Sequence, residues 1–203
     1  MTSHEARQVP AWLIFDVGRK AMELPLPPVG YERRMQRFAE ETCLRDVGQD
    51  EFGRIVYLAD DAADAWQLMR RAAADDGMRL LLLSGFRSII RQSEIVRAKI
   101  TSGQSLDVIL SVSAYPGFSE HHTGRAIDVG SPHREHFTEA FETTREFLWL
   151  SAHAGSYGFR LSYPRSNASG IVYEPWHWYM AKPKAQQGAR ANTPTGHASC
   201  YLR

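Results

Sequence analysis

Cysteine is almost absent from this sequence of 203 residues, which contains only Cys43 and Cys200. The two lie far apart and form no CxxC pair, which excludes zinc-finger and thioredoxin-like proteins. A single bridge between them would fit an oxidising compartment. The sequence leaves open whether the two cysteines pair or stay free.

Excess charge and long apolar runs are missing as well. The formal net charge is +1 at pH 7, so there is no electrostatic case for binding nucleic acid. The leucine run from Leu80 to Leu83 is far too short to cross a bilayer, and we expect no membrane span. The first residues show no basic start followed by an apolar run, so no secretory signal is visible.

The length and composition of the chain suit one globular domain with an additional segment at each terminus. Hydrophobic residues make up 43% of the chain, enough to bury a substantial core. We expect an N-terminal arm over residues 1–50, which reads as irregular, and a main domain over 51–182. Residues 183–203 are predicted to form a mobile tail, because this stretch has little to bury.

Helices and strands alternate along the main domain without the regularity of βαβ units, which predicts an α+β fold. Helical spacing of apolar residues, N-caps and bounding glycines define the elements. Helices are predicted at about Glu32 to Cys43, Ala62 to Ala74, Ser88 to Thr101, Leu106 to Ser111 and within Phe137 to Gly155. Strands are predicted at Met78 to Ser84, Arg125 to Val129, Tyr157 to Tyr163 and Ile171 to Tyr179.

Two short stretches, SEHHTGRAID at residues 119–128 and YEPWHW at residues 173–178, concentrate groups that can bind a metal. Together they offer two imidazoles and one carboxylate as ligands, and a further carboxylate beside the last imidazole. Three protein ligands with one open position are typical of catalytic zinc, and the spare carboxylate can serve as a base. The combination indicates a catalytic rather than a structural metal site.

The spacing within each stretch requires an irregular backbone. On a continuous strand His121 and Asp128 would face opposite sides, so a bend at Gly124 is needed to bring them together. Pro175 excludes a helical HExxH-like site, so Glu174 and His177 require a bulge or a distorted strand end. Taken alone, either His121 or Asp128 is better explained as a polar residue that caps a turn.

The joint pattern resembles a known family. SEHHTGRAID is similar to the SxHxxGxxxD signature of zinc D-Ala-D-Ala carboxypeptidases and dipeptidases, which include the vancomycin-resistance D,D-carboxypeptidases. This family belongs to a wider group with lysostaphin-type peptidases and the hedgehog signalling domain. The resemblance runs from about Asp60 to Tyr179. Its other blocks are Ser84 to Ser88 with Gln92, Ala114 to Ser119, Trp149-Leu150 with Tyr157 to Phe159 and Tyr163-Pro164, and the closing YEPWHW.

The resemblance implies a zinc peptidase domain over residues 51–182, with a small antiparallel sheet that carries the zinc site and is flanked by helices. It implies that His121, Asp128 and His177 hold Zn²⁺. It further implies that Glu174 is the catalytic base and that Arg87 stabilises the oxyanion. Ser119 and Gln92 would bind the substrate.

The expected function is hydrolysis of C-terminal D-amino acids, chiefly D-alanine, from peptidoglycan peptides. One alternative is a peptidase for the L-alanyl-D-glutamate bond or of the L,D type. Another is a zinc-bearing binding domain without catalysis, although the presence of Glu174 and Arg87 argues against it. Peptidoglycan substrates indicate the periplasm or cell surface, provided that a signal has been removed, whereas the missing signal indicates the cytoplasm.

Overall fold

The computed structural model describes residues 24–181, which form two antiparallel sheets with helices packed around them. Strands β1 (Leu44–Gln49) and β2 (Ile55–Ala59) make a hairpin. The second sheet has four strands in the order β3-β4-β6-β5. Its strands are β3 (Leu81–Ser84), β4 (Ala126–Gly130), β5 (Phe159–Leu161) and β6 (His177–Met180).

Five α-helices and three short 3-10 helices lie in the described part of the chain, so the α+β prediction is confirmed. The α-helices are α1 (Tyr31–Arg34), α2 (Asp60–Asp75), α3 (Ile89–Thr101), α4 (Leu106–Val112) and α5 (Arg145–His153). The 3-10 helices span Glu120–Thr123, Glu139–Thr143 and Ala154–Tyr157. Between residues 24 and 181 none of the helices is long and apolar enough to cross a membrane.

Helices α2 and α3 form where the apolar spacing and the end signals predict them. Along α2 the buried side chains recur every three or four residues, as in Trp66, Met69 and Ala73. Asp60 lies in the first turn of α2, where its negative charge interacts favourably with the helix dipole. Helix α3 begins after Ser88, whose side chain accepts a hydrogen bond from the Arg91 amide.

Two predictions for the N-terminal region are wrong. The predicted helix from Glu32 to Cys43 is restricted to Tyr31–Arg34. After it, the amides of Phe38 and Glu41 donate to carbonyls of the loop around residues 117–122, which takes the backbone out of a helical path. Residues 44–49, predicted to be irregular, pair with β2 instead.

Several other predicted strands are shorter than expected. Only Leu81–Ser84 of the predicted Met78 to Ser84 is a strand, and β6 begins at His177 rather than at Ile171. The division into arm, domain and tail stays a prediction. The predicted tail at 183–203 lies outside the described residues. Cys200 lies outside them as well, so its pairing with Cys43 stays open.

The central strand β4 divides two hydrophobic clusters. Ile127 and Val129 belong to a cluster that also contains residues of α2, such as Trp66. A second cluster joins α3, α4 and the loop at residues 114–118. Because side chains alternate along a strand, Asp128 faces away from Ile127 and Val129. All five β4 residues are buried, so Asp128 is a carboxylate fixed in the protein interior.

Candidate active site

A tight turn places His121 over the central strand. His121 lies in the 3-10 helix Glu120–Thr123, which ends at Gly124 with φ +65°. A side chain at Gly124 would come within 2.8 Å of the Ala59 amide nitrogen, so glycine is required by conformation and by space. The turn brings His121 Nε2 to 3.3 Å from Asp128 Oδ2. This is the bend that the sequence predicts at Gly124.

The orientation of the His121 ring is fixed by a backbone carbonyl. Its Nδ1 lies 2.7 Å from the Gly85 oxygen, a distance at which Nδ1–H donates a hydrogen bond. The Nε2 lone pair is then directed toward the Asp128 side. Metal-binding histidines usually donate their other ring N–H in this way.

Strand register places His177 next to Asp128 and His121. Asp128 on β4 pairs with His177 on β6, and His177 Nδ1 lies 3.1 Å from Asp128 Oδ1. On the other side of the ring, Nε2 lies 2.9 Å from Glu120 Oε2. His177 is the first residue of β6, after an irregular segment that contains Pro175, as the sequence requires.

The electrostatics of this cluster favour a bound cation. Burial alone would lower the pKa of His177, but hydrogen bonds to the Asp128 and Glu120 carboxylates raise it to about 10. Burial likewise opposes ionisation of Asp128, yet the neighbouring His121 and His177 hold its pKa below the usual range. Carboxylates that attract a proton here attract a metal cation for the same reason.

One ligand atom from each of His121, Asp128 and His177 can be chosen so that all three lie within 4.8 Å of one another. Two imidazoles and a carboxylate are ligands that zinc accepts. Hydrogen bonds to Gly85 and Glu120 leave His121 Nε2 and His177 Nδ1 as the inward-facing nitrogens. The donor set and its geometry therefore fit a zinc ion.

Glu174 lies at the edge of this cluster in the same cleft. Its amide donates to the Tyr163 carbonyl, and its own carbonyl accepts a hydrogen bond from the His177 amide, so the segment before β6 is held at both ends. Burial is the main cause that raises the pKa of Glu174 to about 7. A carboxyl group with that pKa can take up and release a proton near neutral pH.

Arg87 follows β3 and enters the cleft from the other side. Its Nη1 donates to Gln92 Oε1 at 3.0 Å, and its Nη2 lies 3.3 Å from Ser84 Oγ and 3.9 Å from Asp128 Oδ2. Burial lowers the pKa of Arg87, while Asp128 and Glu174 raise it. Arginine stays protonated under such shifts, so the guanidinium is a fixed positive charge beside the metal-binding cluster.

His122, the neighbour of His121, holds the backbone of Arg87. Its Nδ1 lies 2.6 Å from the Arg87 carbonyl oxygen, and its Nε2 accepts a hydrogen bond from the Gly117 amide at 3.1 Å. Burial lowers its pKa to about 4, so the ring is neutral at pH 7. Both ring nitrogens are used within the protein, so neither is available to bind a metal.

A cleft of about 380 Å³, large enough for part of a peptide, is lined by Arg87, His121, Asp128, Glu174 and His177. The predicted substrate-binding residues Ser119 and Gln92 are both in its wall. Gln92 is already engaged, since its Nε2 donates to the Ala114 carbonyl at 2.7 Å while its Oε1 accepts from Arg87. Apolar walls are contributed by Ile95, Val112, Phe137, Tyr163, Ile171, Val172 and Trp176.

Glu120 is the residue of this site that the sequence did not reveal. It is buried, and its carboxylate contacts a residue 57 positions away in the chain. The available signal was its position next to His121, because a buried carboxylate beside a metal-binding histidine requires a partner. Tyr163 was noted only as part of a motif, and its ring packs against His177 with centroids 4.8 Å apart.

Comparison with known proteins agrees with this site. A family model described as VanY, D-alanyl-D-alanine carboxypeptidase, matches residues 55–182. YodJ of Bacillus subtilis (strain 168), a protein named as a carboxypeptidase, is 35% identical over 142 residues, which cover 68% of this chain and 52% of YodJ. This chain thus spans about half the length of that curated relative.

Solved structures are similar as well. The LdcB LD-carboxypeptidase matches with a TM-score of 0.64 and 33% identity, covering 70% of this chain and 69% of LdcB. A mutant of the vancomycin-resistance D,D-pentapeptidase VanY, in complex with Zn(II), matches with a TM-score of 0.54 and 26% identity over 71% of this chain and 80% of that one. Because the family model spans more than half of the 203 residues, the chain belongs to the VanY family of D-alanyl-D-alanine carboxypeptidases.

Proposed function

We propose that this chain is a zinc-dependent D-alanyl-D-alanine carboxypeptidase that hydrolyses C-terminal D-amino acids from peptidoglycan-derived peptides. The observation that carries the proposal is the metal-binding cluster of His121, Asp128 and His177 in one cleft with a carboxyl group and a guanidinium. A family model for this activity covers the same part of the chain.

His121 Nε2, the Asp128 carboxylate and His177 Nδ1 would hold the metal. When bound, zinc supplies Lewis-acid catalysis, since it polarises the scissile carbonyl and lowers the pKa of a water molecule. With three protein ligands, one position stays open for water or substrate. The protein fixes this set through the Gly85 carbonyl and the Glu120 carboxylate, which orient the two imidazoles.

Glu174 acts as the general base and later as the general acid. It takes a proton from the attacking water and passes it to the amine of the departing residue. Its place in the cleft and a pKa raised to about 7 suit both steps near neutral pH. A bound zinc ion would lower this pKa, which favours the base form before the attack.

Arg87 stabilises the negative charge that develops on the carbonyl oxygen. Hydrogen bonds to Gln92 and Ser84 hold the guanidinium in place before the substrate binds. A donor that is already oriented needs no rearrangement as the charge appears, and this lowers the barrier. Ser119 and the remaining amide hydrogen of Gln92 would contact the peptide from the same wall.

An L,D-carboxypeptidase is the second candidate, because the similarity to LdcB, with a TM-score of 0.64, exceeds that to the VanY–Zn(II) structure, with 0.54. The two activities share the metal, the base and the guanidinium. They differ in the residue that precedes the scissile bond. A binding domain without catalysis is disfavoured, since binding alone requires neither Glu174 nor Arg87 in the cleft.

The test uses the zinc-loaded protein with three peptides. One ends in D-Ala-D-Ala, one is the tetrapeptide ending in L-Lys-D-Ala, and one offers only an L-alanyl-D-glutamate bond. We expect D-alanine release mainly from the first and none from the His177→Ala variant, which should also lose zinc. Faster release from the tetrapeptide would assign the L,D activity instead. Zinc binding without cleavage of any of the three would support a binding domain.

A further inference from the structure

Lys99 lies on the side of α3 that faces the active cleft. Gln92 and Ile95, on the same helix, line the cleft. Lys99 follows Ile95 by four residues and Gln92 by seven, so helical geometry places all three on one face. Val96, on the adjacent face, belongs to the hydrophobic cluster between α3 and α4.

The ammonium group of Lys99 contacts the wall of the cleft through Ser113. Its Nζ donates to Ser113 Oγ at 2.7 Å, and Ser113 lines the cleft between Val112 and Ala114. Because the Ser113 oxygen accepts from lysine, its own O–H is free to donate elsewhere. Lys99 and Ser113 therefore present two kinds of donor, N–H and O–H, at one place.

The charge of Lys99 is coupled to the catalytic groups. Burial lowers its pKa, the Glu174 carboxylate raises it, and the Arg87 guanidinium lowers it. Among residues 24–181 no carboxylate lies within ion-pair distance of Lys99 Nζ, whose hydrogen-bond partner is the neutral Ser113 hydroxyl. A partly buried ammonium without an anionic partner is stabilised when an anion binds.

Arg87 cannot serve every negative group of the substrate. Its guanidinium is engaged by Gln92 and Ser84 and lies 3.9 Å from Asp128 Oδ2. A peptide cleaved at its last residue carries a C-terminal carboxylate, and that group needs its own donors once Arg87 is committed to the oxyanion. Such donors are available at Ser113 in the wall of the cleft and at Lys99, which contacts Ser113.

We propose that Lys99 Nζ and Ser113 Oγ form a carboxylate-binding subsite of the cleft, which takes a carboxylate of the peptide substrate. This inference rests on the proposed function, because it names the feature of the peptide that the same cleft recognises. The carboxylate is either that of the C-terminal residue or that of an upstream acidic residue. Peptides that carry only one of the two distinguish these sources.

The experiment measures peptide binding by calorimetry, in zinc-loaded protein with the Glu174→Gln change to prevent turnover. The first peptide is diacetyl-L-Lys-D-Ala-D-Ala, whose only charge is the terminal carboxylate. The second is its C-terminal amide, which has no carboxylate. In the third, an N-acetylated, γ-linked D-glutamate replaces the α-acetyl group of that amide, so the only charge is the upstream carboxylate.

Adding Lys99→Met should raise the Kd of the carboxylate-bearing ligand by about 10- to 100-fold, the usual effect of losing a charged hydrogen bond. The carboxylate-free amide should bind equally well with and without this change. An effect on the first peptide assigns the subsite to the terminal carboxylate, and an effect on the third assigns it to the upstream one. An unchanged Kd for the first and the third peptide, or an equal loss of affinity for all three peptides, would overturn the proposal.

Two further variants separate charge recognition from a structural role. Lys99→Arg should retain most of the affinity, and Ser113→Ala should lose part of it without removing a charge. Arg70→Met removes a positive charge from the exposed side of α2 and should change none of the three affinities. Since no turnover is needed, the binding result stands apart from the D-alanine release that tests the proposed function.

Discussion

The Glu120 carboxylate lies 2.9 Å from Nε2 of His177, whereas Nδ1 of the same ring lies 3.1 Å from the Asp128 carboxylate. With its Nε2–H donated to Glu120, the imidazole directs Nδ1 at the metal-binding cluster, and a cation that displaces the Nδ1 proton would meet the lone pair there. A carboxylate behind a metal-binding histidine fixes the tautomer and raises the basicity of the ring. Glu120 would thus act through His177 on a metal held by this cluster.

Replacing Glu120 should therefore weaken zinc binding. We expect Glu120→Ala to lower zinc affinity by about 10- to 100-fold, the range found for partners of metal-binding residues. Glu120→Gln should be milder, because its amide oxygen can still accept from Nε2–H. Competition with a chromophoric chelator measures both, and an unchanged affinity in Glu120→Ala would remove the residue from the metal site.

Glu174→Gln should retain zinc and lose most turnover. The amide has nearly the shape of the carboxylate but cannot accept a proton, so the attacking water is not activated. Metal analysis and D-alanine release are measured on the same preparation. Near-normal release would mean that another group is the base, and loss of zinc would make Glu174 a ligand.

Arg87→Lys should be a poor substitute although it keeps the positive charge. Lysine lacks the planar fork that reaches Gln92 and Ser84 together. Loss of an oxyanion donor costs about 2.7–4 kcal/mol, or about 10²–10³ in rate, at comparable sites. Steady-state kinetics should show the loss in kcat, whereas a loss confined to KM would indicate that Arg87 binds the substrate carboxylate.

Gly124→Ala should destabilise the protein and disturb His121. An added methyl group would come within 2.8 Å of the Ala59 nitrogen, at a residue with φ +65°. We expect a loss of at least about 2 kcal/mol in the free energy of unfolding, from left-handed strain and a weakened Ala59–Gly124 hydrogen bond. Gly155→Ala is the matched control, since apart from the adjoining backbone no atom lies within 4 Å of its added carbon. Equal urea midpoints for the two variants would contradict the expectation.

The hairpin of β1 and β2 should respond to pH through Asp50. Burial would raise the pKa of Asp50, but hydrogen bonds from Arg54 and the Phe52 amide hold it below the usual 3.8. A lowered pKa in the folded state gives stability that is present above pH 3.8 and lost as the pH falls through the folded value. Asp50→Asn should therefore cost about 1 kcal/mol at pH 7 and less at pH 3. Urea unfolding at both values checks this, and an equal cost at both would contradict it.

Local signals in the sequence predicted helices α2 and α3 well. Apolar spacing in α2 and the Ser88 cap of α3 act over a few residues, and both helices lie where expected. The bend at Gly124 was predictable for the same reason, because a short segment had to bring His121 onto Asp128. Motif resemblance then added residues that lie far apart in the chain.

Long-range pairing was not predictable from one sequence. Strand β1, with the sequence LRDVGQ, has weak alternation of apolar residues, and its strand conformation depends on pairing with β2. The contact of Glu120 with His177 depends on the register of β6 against β4, which no local pattern records. The features of the site that the sequence did not predict are contacts between distant residues, which only the tertiary fold brings together.

Strand register also sets the order in which the centre can assemble. Ser84, Asp128 and His177 stand side by side on β3, β4 and β6. A slip of one residue between β4 and β6 would turn His177 to the opposite face of the sheet. A growing chain that has not yet reached β6 carries His121 and Asp128 but lacks His177, which follows Asp128 by 49 residues. The proposed ligand set would thus be complete only when β6 joins the sheet, so a metal held by all three residues would bind late in folding.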